Sequence, residues 1–150
     1  MKFVWKGWSQ NMLLLIDSNV ILDFILEREP FFKLADKVIS LSENENFTLC
    51  VSASAITDIY YIAYKNIRDR EKVISDIKKI LEFTKIVAVT EKEIKNALNL
   101  NWRDFEDAVQ YSVALLNGID GIVTRNITDY NNSEVKIFNP EEILNFVGGN

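Results

Sequence analysis

The sequence predicts an α/β domain of three layers, with a parallel sheet of five strands between two layers of helices. Three observations predict it. Short apolar runs alternate with longer segments whose apolar residues recur at helical spacing. The short runs are apolar on both faces, as strands are when helices cover both sides of a parallel sheet. No Gly/Ser-rich linker, internal repeat or low-complexity stretch divides the 150 residues, so they are read as a single domain.

The elements follow in order. Met12 to Ile16 reads as a buried strand that ends at Asp17. Asn19 to Glu27 has helical spacing and stops before Pro30. Phe31 to Ser42 is a second helix with Phe32, Leu34, Ala35, Val38, Ile39 and Leu41 on its apolar face. Phe47 to Val51 is the second strand, and Ser52 or Ser54 is suited to cap a helix running to about Lys65. Asp69 to Phe83 is a longer amphipathic helix, and Ile86 to Val89 the third strand. Thr90 and Glu93 form a capping box for the next helix. Asp104 to Asn117 is a helix stopped near Gly118, followed by strands at Gly121 to Thr124 and Val135 to Phe138. Asn139, Pro140 and Glu142 supply the cap, first-turn proline and box acid of a final helix. The domain is therefore expected over 12–147, with a tail at 148–150. Residues 1–11, which carry Trp5 and Trp8, read as an N-terminal extension: an arm that packs, or a stretch preceding a natural start at Met12.

Composition excludes much. The chain has no histidine, so no Ser-His-Asp or Cys-His nucleophile system can be built and no imidazole can act as base. Cys50 is the only cysteine, which removes a disulfide framework and any typical zinc site. The five glycines form neither a dinucleotide fingerprint nor a P-loop. The apolar run at Met12 to Ile16 is too short to span a membrane. A net charge of -5 argues against non-specific coating of nucleic acid but allows local binding of a strand. The protein is expected to be cytoplasmic, with its cysteine reduced. Any catalysis falls to oxygen ligands and hard cations.

Acids then gather at one edge. Asp17 follows the first strand at the sheet's carboxyl edge, although capping of the next helix accounts for it equally. Asp58 is the lone charge between Ser52 and Tyr64, in a helix that reads as apolar all round and hence buried. Such a carboxylate is salt-bridged, metal-bound or protonated. Asp107 borders the apolar stripe of its helix, with Asp104 one turn earlier at or near the cap. First-turn acids also suit the helix dipole. The segment Thr124 to Asp129 falls on the same edge. Clustered carboxylates repel unless a cation sits among them, and Mg²⁺ or Mn²⁺ suits an all-oxygen site. Phosphodiester hydrolysis is the chemistry that most often uses such sites.

Four motifs in order carry a resemblance. They are Leu15-Ile16-Asp17-Ser18-Asn19-Val20-Ile21-Leu22, Val51 to Tyr61 around Asp58, Asp104-Phe105-Glu106-Asp107-Ala108-Val109-Gln110, and Ile122-Val123-Thr124-Arg125-Asn126-Ile127-Thr128-Asp129-Tyr130. The chain resembles the PIN-domain family, in particular its bacterial VapC-like branch, over residues 12 to about 147. The resemblance implies a metal-dependent ribonuclease, often the toxin of a type II toxin–antitoxin pair held inactive by a small antitoxin, and commonly dimeric. It implies Asp17, Asp58, Asp107 and Asp129 as the catalytic and metal-binding acids, with Asp104 at the rim. Thr124 and Asn126 match polar positions after the fourth strand, and Ser18 and Asn19 match residues bracing the first acid. Two positions depart from the family's pattern: the second acid is often Glu where this chain has Asp58, and many relatives have Asp where it has Asn126.

The expected mechanism has one Mg²⁺ or Mn²⁺ activating a water for in-line attack on RNA, with Arg125 either on a phosphate or in a surface salt bridge. Residues 65–79 carry six basic side chains against three acidic ones, read as a solvated helix or as a rim that steers RNA. Tyr60, Tyr61 and Tyr64 are read as packing rather than base-stacking residues. The competing readings are a catalytically silent PIN-like binding module, a structural oligomer, and a receiver-like domain, which requires a phosphoacceptor Asp after a central strand and a Lys after the last one where this chain has Thr90 after the third strand and Asn139 after the fifth.

Overall fold

The computed structural model describes residues 11–130 and 134–148. The expected N-terminal extension, Asn11 apart, and the last two residues of the tail lie outside them. Strand β1 (Met12–Ile16) leads into α1 (Ser18–Ile25) and α2 (Phe32–Ile39). After a turn of 3-10 helix at Ser40–Glu43 come β2 (Phe47–Ser52), α3 (Ala53–Ile67), α4 (Arg70–Phe83) and β3 (Thr84–Val87). Then follow α5 (Glu91–Leu100), α6 (Phe105–Leu116), β4 (Gly121–Val123), β5 (Lys136–Phe138) and α7 (Pro140–Gly148). The strands form one sheet in the order β3-β2-β1-β4-β5, and each neighbouring pair is parallel.

Side chains alternate across each strand, so the sheet feeds two cores. Leu14, Ile16, Leu49, Val51 and Val123 pack against α1, α2, α3, α4 and α7. Leu15, Cys50 and Ile122 pack against α5 and α6. This is the three-layer arrangement the sequence predicts. Among the described residues, no helix is long and apolar enough to cross a membrane.

Two capping boxes form as the sequence predicts. Thr90 N–H donates to Glu93 Oε1 at 2.7 Å, while Lys92 N–H donates to the Thr90 hydroxyl at 3.3 Å. Asn139 N–H donates to Glu142 Oε1 at 2.8 Å, and Glu142 N–H returns a bond to Asn139 Oδ1 at 2.7 Å. Ser52 takes the cap position of α3, but its hydroxyl pairs with Ser54 Oγ at 2.8 Å and caps no backbone group.

Two expectations are corrected. The third strand begins at Thr84, not Ile86, because Leu49 pairs with Thr84 and sets the register. The Thr84 hydroxyl donates to Ile80 O at 3.0 Å, so strand and helix join without a linker. Lys85 and Ile86 are exposed on this edge strand, where a charged residue discourages further pairing. The second correction concerns α3. Only Ala55, Ile59 and Ala63 are buried there, while Tyr61, Ile62 and Tyr64 face solvent. Its apolar residues thus include an outer face, and Asp58 is half-buried rather than enclosed.

Candidate active site

Sheet order reverses at β1. The chain runs outward through β2 and β3, then crosses back to place β4 on the other side of β1. In such sheets the crevice beyond the strand ends at the reversal is where ligands bind. Asp17 follows β1 and Thr124 follows β4, so the two stand on either side of that crevice, and Asp17 N–H donates to Val123 O at 2.9 Å.

Asp17 is buried and tightly held. Its Oδ1 accepts from Ser18 N–H at 2.7 Å and from Gln110 Nε2 at 2.8 Å. Its Oδ2 accepts from the Thr124 hydroxyl at 2.7 Å and from Asn19 Nδ2 at 3.3 Å. Asp17 is therefore also the cap residue of α1. Asn126 N–H donates to Thr124 Oγ1 at 3.1 Å, and Arg125 N–H to Asn19 Oδ1 at 3.4 Å. These bonds tie the segment after β4 to the first acid.

Helix α6 brings the next groups. Asp104 caps it, accepting from Asp107 N–H at 3.1 Å. Asp107 and Gln110 are one turn apart and share a face. Both are buried. The Tyr130 hydroxyl donates to Asp107 Oδ1 at 3.4 Å.

A cavity of about 330 Å³ opens between these elements and α3. Five carboxylates line it: Asp17, Asp58, Asp104, Glu106 and Asp107. Ser18, Asn19, Gln110 and Asn126 add neutral oxygens, and no Lys or Arg is among the lining residues. Asp129 is exposed and lines an adjoining cleft that shares Asp104, Phe105 and Glu106 with the cavity. The structure thus brings Asp17, Asp58, Asp104 and Asp107 to one cavity and leaves Asp129 at its outer neighbour.

Electrostatics follow from that crowding. Burial pushes the Asp107 carboxyl up to about 7, reinforced by Asp104, Asp17 and Asp129. Burial, with Asp58, Asp104 and Asp17 nearby, also raises Glu106. Tyr130 is raised far above the usual phenol range by burial and by Asp17 and Asp107, so it stays a donor.

The donor chemistry of the lining suits a hard divalent cation. The donors are all oxygen, and the negative charge in the cavity has no basic partner. Gln110 Oε1 is buried with no hydrogen-bond partner, because its amide group is turned to Asp17. A buried acceptor left open costs free energy unless a ligand or water meets it. As the side chains stand, no three acids among the described residues are close enough to enclose one ion.

Arg125 forms a salt bridge. Its guanidinium lies 3.9 Å over the Phe31 ring and binds Asp23 twice, Nε to Oδ2 at 2.7 Å and Nη2 to Oδ1 at 3.2 Å. Arg28 Nε holds the same carboxylate at 2.8 Å. Of the two expected roles the salt bridge is the one formed, and it is partly buried: the Arg125 side chain is 29% exposed and that of Asp23 2%. Sequence reasoning missed Asp23, although the signal it used for Asp58, a lone acid among apolar helix residues, stands there too. It also passed over Gln110, whose spacing from Asp107 was a usable signal, and Tyr130, for which a loop aromatic gave none.

Comparison with known proteins agrees with this architecture. The PIN domain family model matches residues 13–128. Ribonuclease VapC1 of Aquifex aeolicus is 30% identical over 132 residues, spanning 85% of this chain and 90% of that protein. Among solved structures, VapBC-1 from nontypeable Haemophilus influenzae superposes with a TM-score of 0.67 at 15% identity, covering 87% of this chain and 99% of that one. The DNA-bound VapBC of Salmonella typhimurium gives 0.66 at 13% identity, over 86% and 98%. The fold, the ordered acid motifs and the extent of these matches show that the chain belongs to the PIN domain family.

Proposed function

We propose that the chain is an endoribonuclease that hydrolyses RNA phosphodiesters with a divalent ion, Mg²⁺ or Mn²⁺, and is the toxin of a type II toxin–antitoxin pair. The observation that carries this reading is the cavity at the sheet's switch point, with five carboxylates, no basic side chain and an open Gln110 acceptor. The similarity to a protein named as a ribonuclease supports the chemistry. The fold shared with VapBC complexes supports an antitoxin partner.

Asp17, Asp58 and Asp107 would hold the ion, with Asp129 approaching from the adjoining cleft. Bound there, the ion supplies Lewis acidity and a nucleophilic water at neutral pH. The chain's own residues do the rest. Thr124, Asn19, Ser18 and Gln110 fix the Asp17 carboxylate in one orientation. Gln110 Oε1 is free to accept a hydrogen bond from a molecule in the cavity. Carboxylates hold and pass protons, since the chain has no histidine. An RNA substrate supports a cytoplasmic site of action. The outer face of α3, with Tyr61, Ile62 and Tyr64 exposed, supports a protein contact such as a homodimer or the antitoxin.

The test is cleavage of single-stranded and structured RNAs by the purified chain in Mg²⁺ or Mn²⁺ and in EDTA, beside Asp107→Asn. Metal-dependent cutting that the variant lacks supports the reading. Equal cutting by the variant removes Asp107 from the mechanism. The separation of the acids favours a second reading, a silent binding module. That reading gains if the wild type cuts nothing and binds Mn²⁺ poorly.

A further inference from the structure

The adjoining cleft, about 990 Å³, is lined by Asn101 to Glu106, Thr128 and Asp129. Two of its side chains take no part in holding the acids. Phe105 belongs to the walls of both cavities and leaves 45% of its surface in water, between Asp104 and Glu106 in the chain. In proteins that bind single strands, aromatic rings along the groove are the platforms on which bases stack. Trp102, beside it, is already committed: its ring packs on Tyr111 at 4.9 Å and on Tyr130 at 5.9 Å, and so forms a fixed floor.

Arg103 is the second. It is exposed, and it is the one basic side chain among the described residues lining either cavity. The ion pairs among the described residues do not include it. Arg125 is held by Asp23, and the basic residues of α4 line neither cavity. A polyanion entering this acidic mouth therefore meets its positive charge at Arg103.

We infer that this cleft seats one unstacked nucleotide of single-stranded RNA beside the bond that is cut, its base on the Phe105 ring and its phosphate on the Arg103 guanidinium. The inference rests on the ribonuclease reading for its substrate class. A duplex does not suit the cleft, because its bases are stacked on each other and cannot meet Phe105.

The test is anisotropy of a labelled single-stranded RNA titrated with the full chain in Ca²⁺, with a duplex of the same sequence alongside. Phe105→Ala is expected to weaken single-strand binding about tenfold, and Phe105→Trp to retain it. Arg103→Ala is expected to weaken binding and to flatten the slope of log affinity against log salt by about 0.7. Both variants are expected to bind Mn²⁺ as the wild type does, and Phe105→Ala to leave duplex binding unchanged. Variants that bind single strands like the wild type overturn the inference, even if the wild type cuts RNA. It is overturned as well if the wild type binds no single strand, or if Phe105→Ala loses a protein partner but keeps RNA. If the variants bind more weakly as expected and the wild type cuts nothing in Mn²⁺, the ribonuclease reading falls and the nucleotide seat stands.

Discussion

Asp107 holds its proton to a pH at which an ordinary aspartate has long lost it. Its folded-state value of about 7 lies above the ordinary 3.8, so the folded chain binds the proton more tightly than the unfolded one. That contribution to stability is complete below the unfolded value and is lost as pH rises through 7. The metal-free protein should therefore lose melting temperature from about pH 4 to about pH 7, and Asp107→Asn should lose less over that range. Thermal melts of both proteins in EDTA check it, and added Mn²⁺ should restore the wild type at the higher pH. Thr124 gives a second expectation at this scale. Thr124→Val removes the 2.7 Å bond to Asp17 Oδ2 and should weaken ion binding by about 10–100-fold, read by calorimetric titration. Asp23 gives a third. Asp23→Ala leaves Arg28 and Arg125, whose side chains are 35% and 29% exposed, without their shared carboxylate and should cost about 1–3 kcal/mol in denaturant unfolding.

Among the elements, the legible ones were those with local chemistry. Thr90 with Glu93, and Asn139 with Glu142, announce helix starts through bonds made within one turn. The third strand was less legible, because its start is set by the pairing of Leu49 with Thr84, a contact distant in sequence. Helix α3 misled for another reason. Its residues are apolar on more than one face, which periodicity cannot distinguish from burial, and the outer face meets solvent in the isolated chain. Asp58 thus reached the cavity wall by a route other than the one argued from enclosure. Element packing also makes a prediction at Gly121 on β4. A Cβ there would stand 2.9 Å from Phe138 Cε2 and 3.3 Å from Leu14 Cδ2. Gly121→Ala should destabilise by about 1–3 kcal/mol in denaturant unfolding, because ring and strand must shift to admit it.

At the scale of the molecule, strand order decides where the chemistry collects. Asp17, Asp58, Asp107 and Thr124 are scattered along the sequence, and the reversal at β1 gathers them at one crevice. The acids were legible because carboxylates at strand ends and helix starts stand out in a chain without histidine. The partners that hold them were not. Gln110 on Asp17, and Asp23 on Arg125, are contacts between distant segments that no local pattern encodes. Whether this crevice holds a divalent ion is read by calorimetric titration of the purified chain with Mn²⁺ near neutral pH. Saturable binding is expected, and Asp17→Asn should abolish it while leaving the circular dichroism spectrum unchanged. Absence of binding by the wild type, or equal binding by a folded Asp17→Asn, would contradict it.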